Sequence, residues 1–151
     1  MSSQFKPSVG YKEKVIESFN RQEVMKTINA SILTVRPGEI ELEFPYQSNL
    51  TQQHGFIHAG IVSTVLDTAC GYAAFSLMPD NAAVLTIEFK VNLLSPVKGE
   101  RFRAVGKVKK PGKNITVAEG ELFSHVKGGL KLVATMVGTI MSVYNREGIE
   151  Y

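Results

Sequence analysis

The spacing of apolar residues changes rhythm along the chain, and each change marks an element. Over residues 11–28, Val15, Ile16, Phe19, Val24, Met25 and Ile28 recur at mostly helical spacing. That predicts an amphipathic N-terminal helix, broken near Asn20. Residues 29–36 and 39–46 alternate instead, with Ile32, Leu33 and Val35 and then Ile40, Leu42 and Phe44. Pro37-Gly38 between them is a turn signal, so the two runs predict a hairpin. A polar loop with Gly55 follows, and an apolar run from about 59 to 77 predicts a long buried helix closed by Pro79. Residues 83–94, 101–110, 114–125 and 130–144 then read as four strands, separated by Pro96, Pro111-Gly112 and Gly128-Gly129. The last residues are expected to fray.

The order is helix, hairpin, long helix, four strands. Short turns between long strands predict an antiparallel sheet. The expected architecture is α+β, a six-stranded antiparallel sheet curled around the central helix, in one domain over residues 1–151. One sheet covers only part of such a helix, so the remainder is expected to meet a second copy or a ligand.

Composition narrows the class. At 44% apolar and 21% charged residues the chain is ordinary for a globular protein. Its formal charge of +3 comes from scattered Lys and Arg without an aromatic ladder, which argues against nucleic acid. Residues 59–78 are long enough to raise the membrane question. They contain Asp67, and an Asp at a bilayer centre costs about 3 kcal/mol, so no membrane span is expected. The polar N-terminal stretch lacks the apolar segment of a signal peptide, and Cys70 is the only cysteine. Both fit a reducing cytoplasm.

Asp67 carries the candidate chemistry. A buried lone carboxylate is costly unless it is paired or functional. On a 3.6-residue period it shares a face with Gly60, Ser63, Thr64, Gly71 and Ala74, all small or hydroxylated. That face either packs on another helix, with Asp67 satisfied by the Ser63 or Thr64 hydroxyls, or borders a narrow channel for an extended substrate. The helix start at Ala59 presents free backbone N–H groups suited to an oxyanion. Asp67 lies roughly 12 Å along the axis from Ala59, so it cannot easily serve its own helix start. A two-fold copy of the helix would bring the carboxylate of one chain to the start of the other. Cys70 reads as a buried structural thiol. No His and carboxylate spacing suggests a metal site.

The pattern Gln52-x-x-Gly55-x-x-His58-Ala59-Gly60, then Asp67-x-x-x-Gly71-x-Ala73, then Glu88-Phe89-Lys90-x-Asn92 and Ser95-Pro96, resembles the PaaI-type hotdog-fold acyl-CoA thioesterases. It runs in order from about residue 49 to 138. The resemblance implies hydrolysis of an acyl-CoA thioester without a cofactor, by a homodimer or a homotetramer built as a dimer of dimers. The family's catalytic carboxylate falls on Asp67, as general base or nucleophile. Its oxyanion N–H falls on Ala59, its loop histidine on His58, its loop amide on Gln52 and its strand hydroxyl on Thr86. Two positions depart from the family pattern: Ala59 replaces a glycine, and Gln52 replaces the commoner Asn. Gly60 joins the substrate-binding positions, and the CoA phosphates need Lys or Arg, for which Lys90, Lys110 and Lys113 are candidates. A non-catalytic acyl-CoA-binding protein is the alternative, and Asp67 argues against it. A hydroxyacyl-thioester dehydratase would need a His and acid pair that the sequence lacks.

Overall fold

The computed structural model describes residues 5–149. Two short helices, α1 (Tyr11–Asn20) and α2 (Glu23–Ile28), precede the hairpin β1 (Ser31–Arg36) and β2 (Glu39–Pro45). A loop leads to the long helix α3 (Ala59–Phe75), and β3 (Ala82–Leu93), β4 (Arg101–Lys110), β5 (Ile115–Val126) and β6 (Gly129–Tyr144) follow. The six strands form one antiparallel sheet in the order β1-β2-β4-β5-β6-β3. This is the sheet-around-helix architecture that the apolar rhythm predicts, and the hotdog fold that the resemblance implies. The N-terminal helix breaks at Arg21-Gln22, next to the expected Asn20. The expected fraying of the C-terminus lies, for residues 150–151, outside the described residues. No described helix is long and apolar enough to cross a membrane.

The inner sheet face and α3 make the core. Leu42, Phe44, Phe102, Leu122, Met136 and Ile140 from the strands meet Val62, Leu66 and Phe75 from the helix, all essentially without solvent contact. Helices α1 and α2 close the remaining side through Val15, Phe19, Met25 and Ile28, and Phe19 sets its ring edge-on to Tyr72, 5.9 Å between centroids. The outer sheet face is a charge ladder. Glu39, Glu41 and Glu43 of β2 form ion pairs with Lys107, Arg103 and Arg101 of β4, the first directly across the strands and the other two on the diagonal. Such partly exposed pairs contribute little each, so the fold rests on the inner face.

Two glycines let α3 approach the sheet. Gly106 of β4 and Gly120 of β5 are direct cross-strand partners. A Cβ at Gly106 would sit 2.2 Å from the Ala69 carbonyl oxygen, inside the helix backbone. One at Gly120 would press on the Cys70 sulfur at 3.0 Å. Cys70 is therefore walled in, and burial pushes its thiol up to about 12, with the charges of Asp67 and Glu119 adding to the shift.

Gly106→Ala is expected to cost about 3 kcal/mol or more, because backbone cannot rotate away as a side chain can. Gly71→Ala meets nothing within 4 Å and is expected to stabilise α3 by up to about 1 kcal/mol. Urea unfolding of both variants measures the contrast.

Candidate active site

The loop before α3 folds tightly on itself. Gln52 N–H donates to the Phe56 carbonyl, Gly55 N–H to Gln52, Ile57 N–H to Val97 and His58 N–H to Leu50. These bonds fix where the helix begins. His58 is its N-cap: extended backbone at φ −61° and ψ 140°, with Nδ1 accepting the Gly60 N–H at 2.8 Å. The expectation of a site role for His58 thus meets a structural one, because this ring nitrogen is engaged with its own helix. The same bond consumes the Gly60 N–H, which was expected on the substrate side. Ala59 N–H donates to no group among the described residues, and it borders a cavity of about 440 Å³ together with Gln52, Phe56, Leu93 and Pro96. The Gln52 side chain accepts the His54 N–H, so its amide oxygen stabilises the loop.

Asp67 lies two turns further along α3, half-buried, with its Oδ1 accepting the Thr86 hydroxyl of β3 at 2.7 Å. Among the described residues it has no cationic partner. Ser63 and Thr64 do not satisfy it. Their hydroxyls donate back to the Ala59 and Gly60 carbonyls at 2.9 and 2.8 Å, one turn earlier in the helix. Burial holds the Asp67 carboxyl above the ordinary carboxylate range, and the Thr86 hydrogen bond partly opposes this. Asp67 and Thr86 border a second cavity of about 230 Å³, lined also by Gln22, Gly71 and Tyr72. No residue lines both this cavity and the one at Ala59. Within one copy, carboxylate and helix start therefore face different spaces, as their axial separation predicts.

The lysines fall elsewhere. The pairing of β3 with β6 slips between Thr86 and Glu88. Thr86 pairs with buried Ile140, so it faces the helix, whereas Glu88 pairs with Thr139 and Lys90 with exposed Val137. Simple alternation would put Thr86 and Lys90 on one face, but the bulge turns Lys90 to the outer surface. Lys113 lines a third cavity with Leu77, Pro79 and Tyr144, at the C-terminal end of α3, and Lys110 ends the adjoining strand. Neither borders the Asp67 or the Ala59 cavity, because the β4–β5 turn lies at the opposite end of the helix. Gln22 was missed altogether. It comes from the α1–α2 break, 46 positions from Thr68, whose hydroxyl donates to it at 3.4 Å, and no local motif marks it.

Strand β3 is a sheet edge, and Leu85, Ile87, Phe89 and Leu93 along it are exposed. Long apolar edges are otherwise avoided in soluble folds because they invite pairing with another chain.

Residues 54–128 match the Thioesterase superfamily. A thioesterase family protein from Silicibacter pomeroyi is 56% identical, with a TM-score of 0.88 over 90% of this chain and 100% of its own. A Saccharolobus solfataricus protein, named as an esterase by inference, is 30% identical over 83% of this chain and 89% of its own length. The Escherichia coli PaaI protein from the phenylacetic acid degradation operon has a TM-score of 0.81 at 19% identity, over 91% and 96% of the two chains, which is a likeness of fold.

Two outcomes test the local account. His58→Ala is expected to lose about 1 kcal/mol and His58→Asn to keep most of it, since Asn also caps; urea midpoints compare them. Asp67→Asn is expected to be more stable than the parent at pH 7. Below the ordinary value of 3.8 both states of the parent hold the proton. As pH rises past it the unfolded chain ionises first and stability falls until the raised folded carboxyl ionises too. The gap between the variants should therefore open with rising pH and vanish near pH 3, in denaturant titrations across that range.

Proposed function

The chain belongs to the thioesterase superfamily, and from that premise we propose that it hydrolyses acyl-CoA thioesters at a site shared between two copies. The observation that carries the reading is Asp67: half-buried, held by one hydroxyl, unpaired with any cation among the described residues, and inclined to take a proton. A structural carboxylate in that position would destabilise the fold without compensation.

In this reading two copies pair along β3, antiparallel, so that Leu85, Ile87, Phe89 and Leu93 are covered and the two α3 helices lie side by side in opposite directions. The Asp67 cavity of one copy then adjoins the Ala59 cavity of the other. Water held by the free Asp67 oxygen loses a proton to it and attacks the thioester carbonyl carbon. The oxygen of the tetrahedral intermediate takes its negative charge against the Ala59 N–H of the second copy, a donor fixed in advance by the capped helix. Collapse breaks the carbon–sulfur bond, the thiolate leaves as CoA thiol with the proton from Asp67, and a free acid remains. Thr86 keeps Asp67 turned toward the water. We place the enzyme in a reducing cytoplasm, consistent with one buried thiol, and assemble it as a dimer or a dimer of dimers.

Thiol release from a panel of acyl-CoAs is the test. Asp67→Asn is expected to lose about 10²- to 10⁴-fold in turnover while remaining folded. Asp67→Ala mixed with an inactive variant of the 52–58 loop should regain activity, because a mixed dimer restores one complete site. Wild-type turnover by Asp67→Asn, or no recovery on mixing, contradicts the shared site.

A further inference from the structure

The Asp67 cavity does not end at Asp67. A second hollow of about 380 Å³ continues from it, and Gln22, Tyr72, Val84 and Leu85 line both. Together they form one trough that leads away from the reacting carboxylate, between the α1–α2 break and β3. At its inner end Gly71 stands one turn after Asp67, and a Cβ there would meet nothing within 4 Å, so the trough is open at that point. Val84 and Leu85 of β3 give it an apolar wall. Its other wall is polar. The Gln22 amide oxygen takes the Thr68 hydroxyl, while its NH2 group has no partner among the described residues. The Ser18 and Tyr72 hydroxyls, 3.1 Å apart, and Arg21 border the outer half, which Phe75, Ala83, Gly148 and Ile149 also line. Arg21 makes no ion pair among the described residues, and no described carboxylate lines that half. The trough thus runs from a carboxylate, past apolar wall, to an amide and a guanidinium.

A methyl-terminated chain would end beside the Arg21 guanidinium, which pairs with no carboxylate among the described residues, and would gain nothing from it. A terminal carboxylate would find a charge-assisted, fork-shaped donor. Asp67 and Tyr72 are five residues apart, about 7.5 Å along the helix, which an extended acyl chain of about six carbons spans. We propose that this trough is the acyl subsite and that Arg21, with Gln22, selects acyl-CoAs whose chain ends in a carboxylate. The inference rests on the thioesterase reading above and adds a substrate class to it.

The test pairs adipyl-CoA with hexanoyl-CoA, and suberyl-CoA with octanoyl-CoA, which differ only at the chain end. The dicarboxylic member of each pair is expected to show about tenfold higher kcat/KM, the size of one charge-assisted hydrogen bond. Arg21→Gln should bring the ratio near one, and Arg21→Glu should turn the preference toward 6-aminohexanoyl-CoA. Equal rates within each pair in the wild type, or a ratio untouched by Arg21→Gln, overturns the assignment. Equilibrium binding of the same pairs to Asp67→Asn separates the two claims. A tenfold preference there supports the subsite even if no acyl-CoA is hydrolysed by the parent, in which case only the hydrolytic reading fails. Equal binding overturns the subsite while leaving hydrolysis standing.

Discussion

Everything in this fold is arranged around how closely one helix lies on one sheet. Helix α3 touches β4 with its backbone at Ala69, and only a glycine at position 106 permits it. Gly120 across the strand pair extends the shallow floor. A helix set this low is wrapped on most of its surface, and its second half is buried all round. What stays uncovered is the side that carries Gly60, Ser63, Thr64 and Asp67. The same depth sets Asp67 level with Thr86 on β3, close enough for a 2.7 Å hydrogen bond. A packing constraint in the core therefore fixes the position of a carboxylate at the rim.

The cost of that position is carried by the fold. Burial disfavours the ionised form of Asp67, and one hydroxyl offsets only part of the penalty. Nearby groups that could have relieved it are occupied: Ser63 and Thr64 bond back to their own helix, and the Gly60 N–H is held by His58. The helix start is prepared in the complementary sense. Its cap leaves the Ala59 N–H without an acceptor among the described residues, at the edge of a separate cavity. An acid prone to accept a proton and a donor lacking an acceptor are thus both present, yet they point into different spaces. In the assembly proposed above, the exposed apolar edge at β3 is the route by which a second copy unites them.

Most elements were legible because each obeys one period or, for α3, forms one long apolar run. Alternation located the strands to within a residue or two, helical spacing located the broken N-terminal helix, and a long apolar run closed by Pro79 located α3. Asp67 was legible as an expensive residue in an apolar run. Other features were not, since each depends on a through-space neighbour. The slip between Thr86 and Glu88 reverses which face Lys90 occupies, and nothing in the run TIEFK announces it. His58 reads from the sequence as a site residue or as one that bonds a neighbouring loop carbonyl, and its capping of the Gly60 N–H shows only in the structure. Gly106 and Gly120 look like weak points in two strands, and only their pairing beneath Ala69 and Cys70 explains them. Gln22 reaches the trough from a distant helix break, beyond the range of any local pattern.

The most direct check is a crystal structure of the protein with a non-hydrolysable thioether analogue of an acyl-CoA. The account predicts the carbonyl-equivalent carbon poised near Asp67 of one copy, with the adjoining oxygen position within hydrogen-bonding distance of the Ala59 N–H of another copy. A ligand bound by Asp67 and Ala59 of the same copy, or lying away from Asp67, would contradict it.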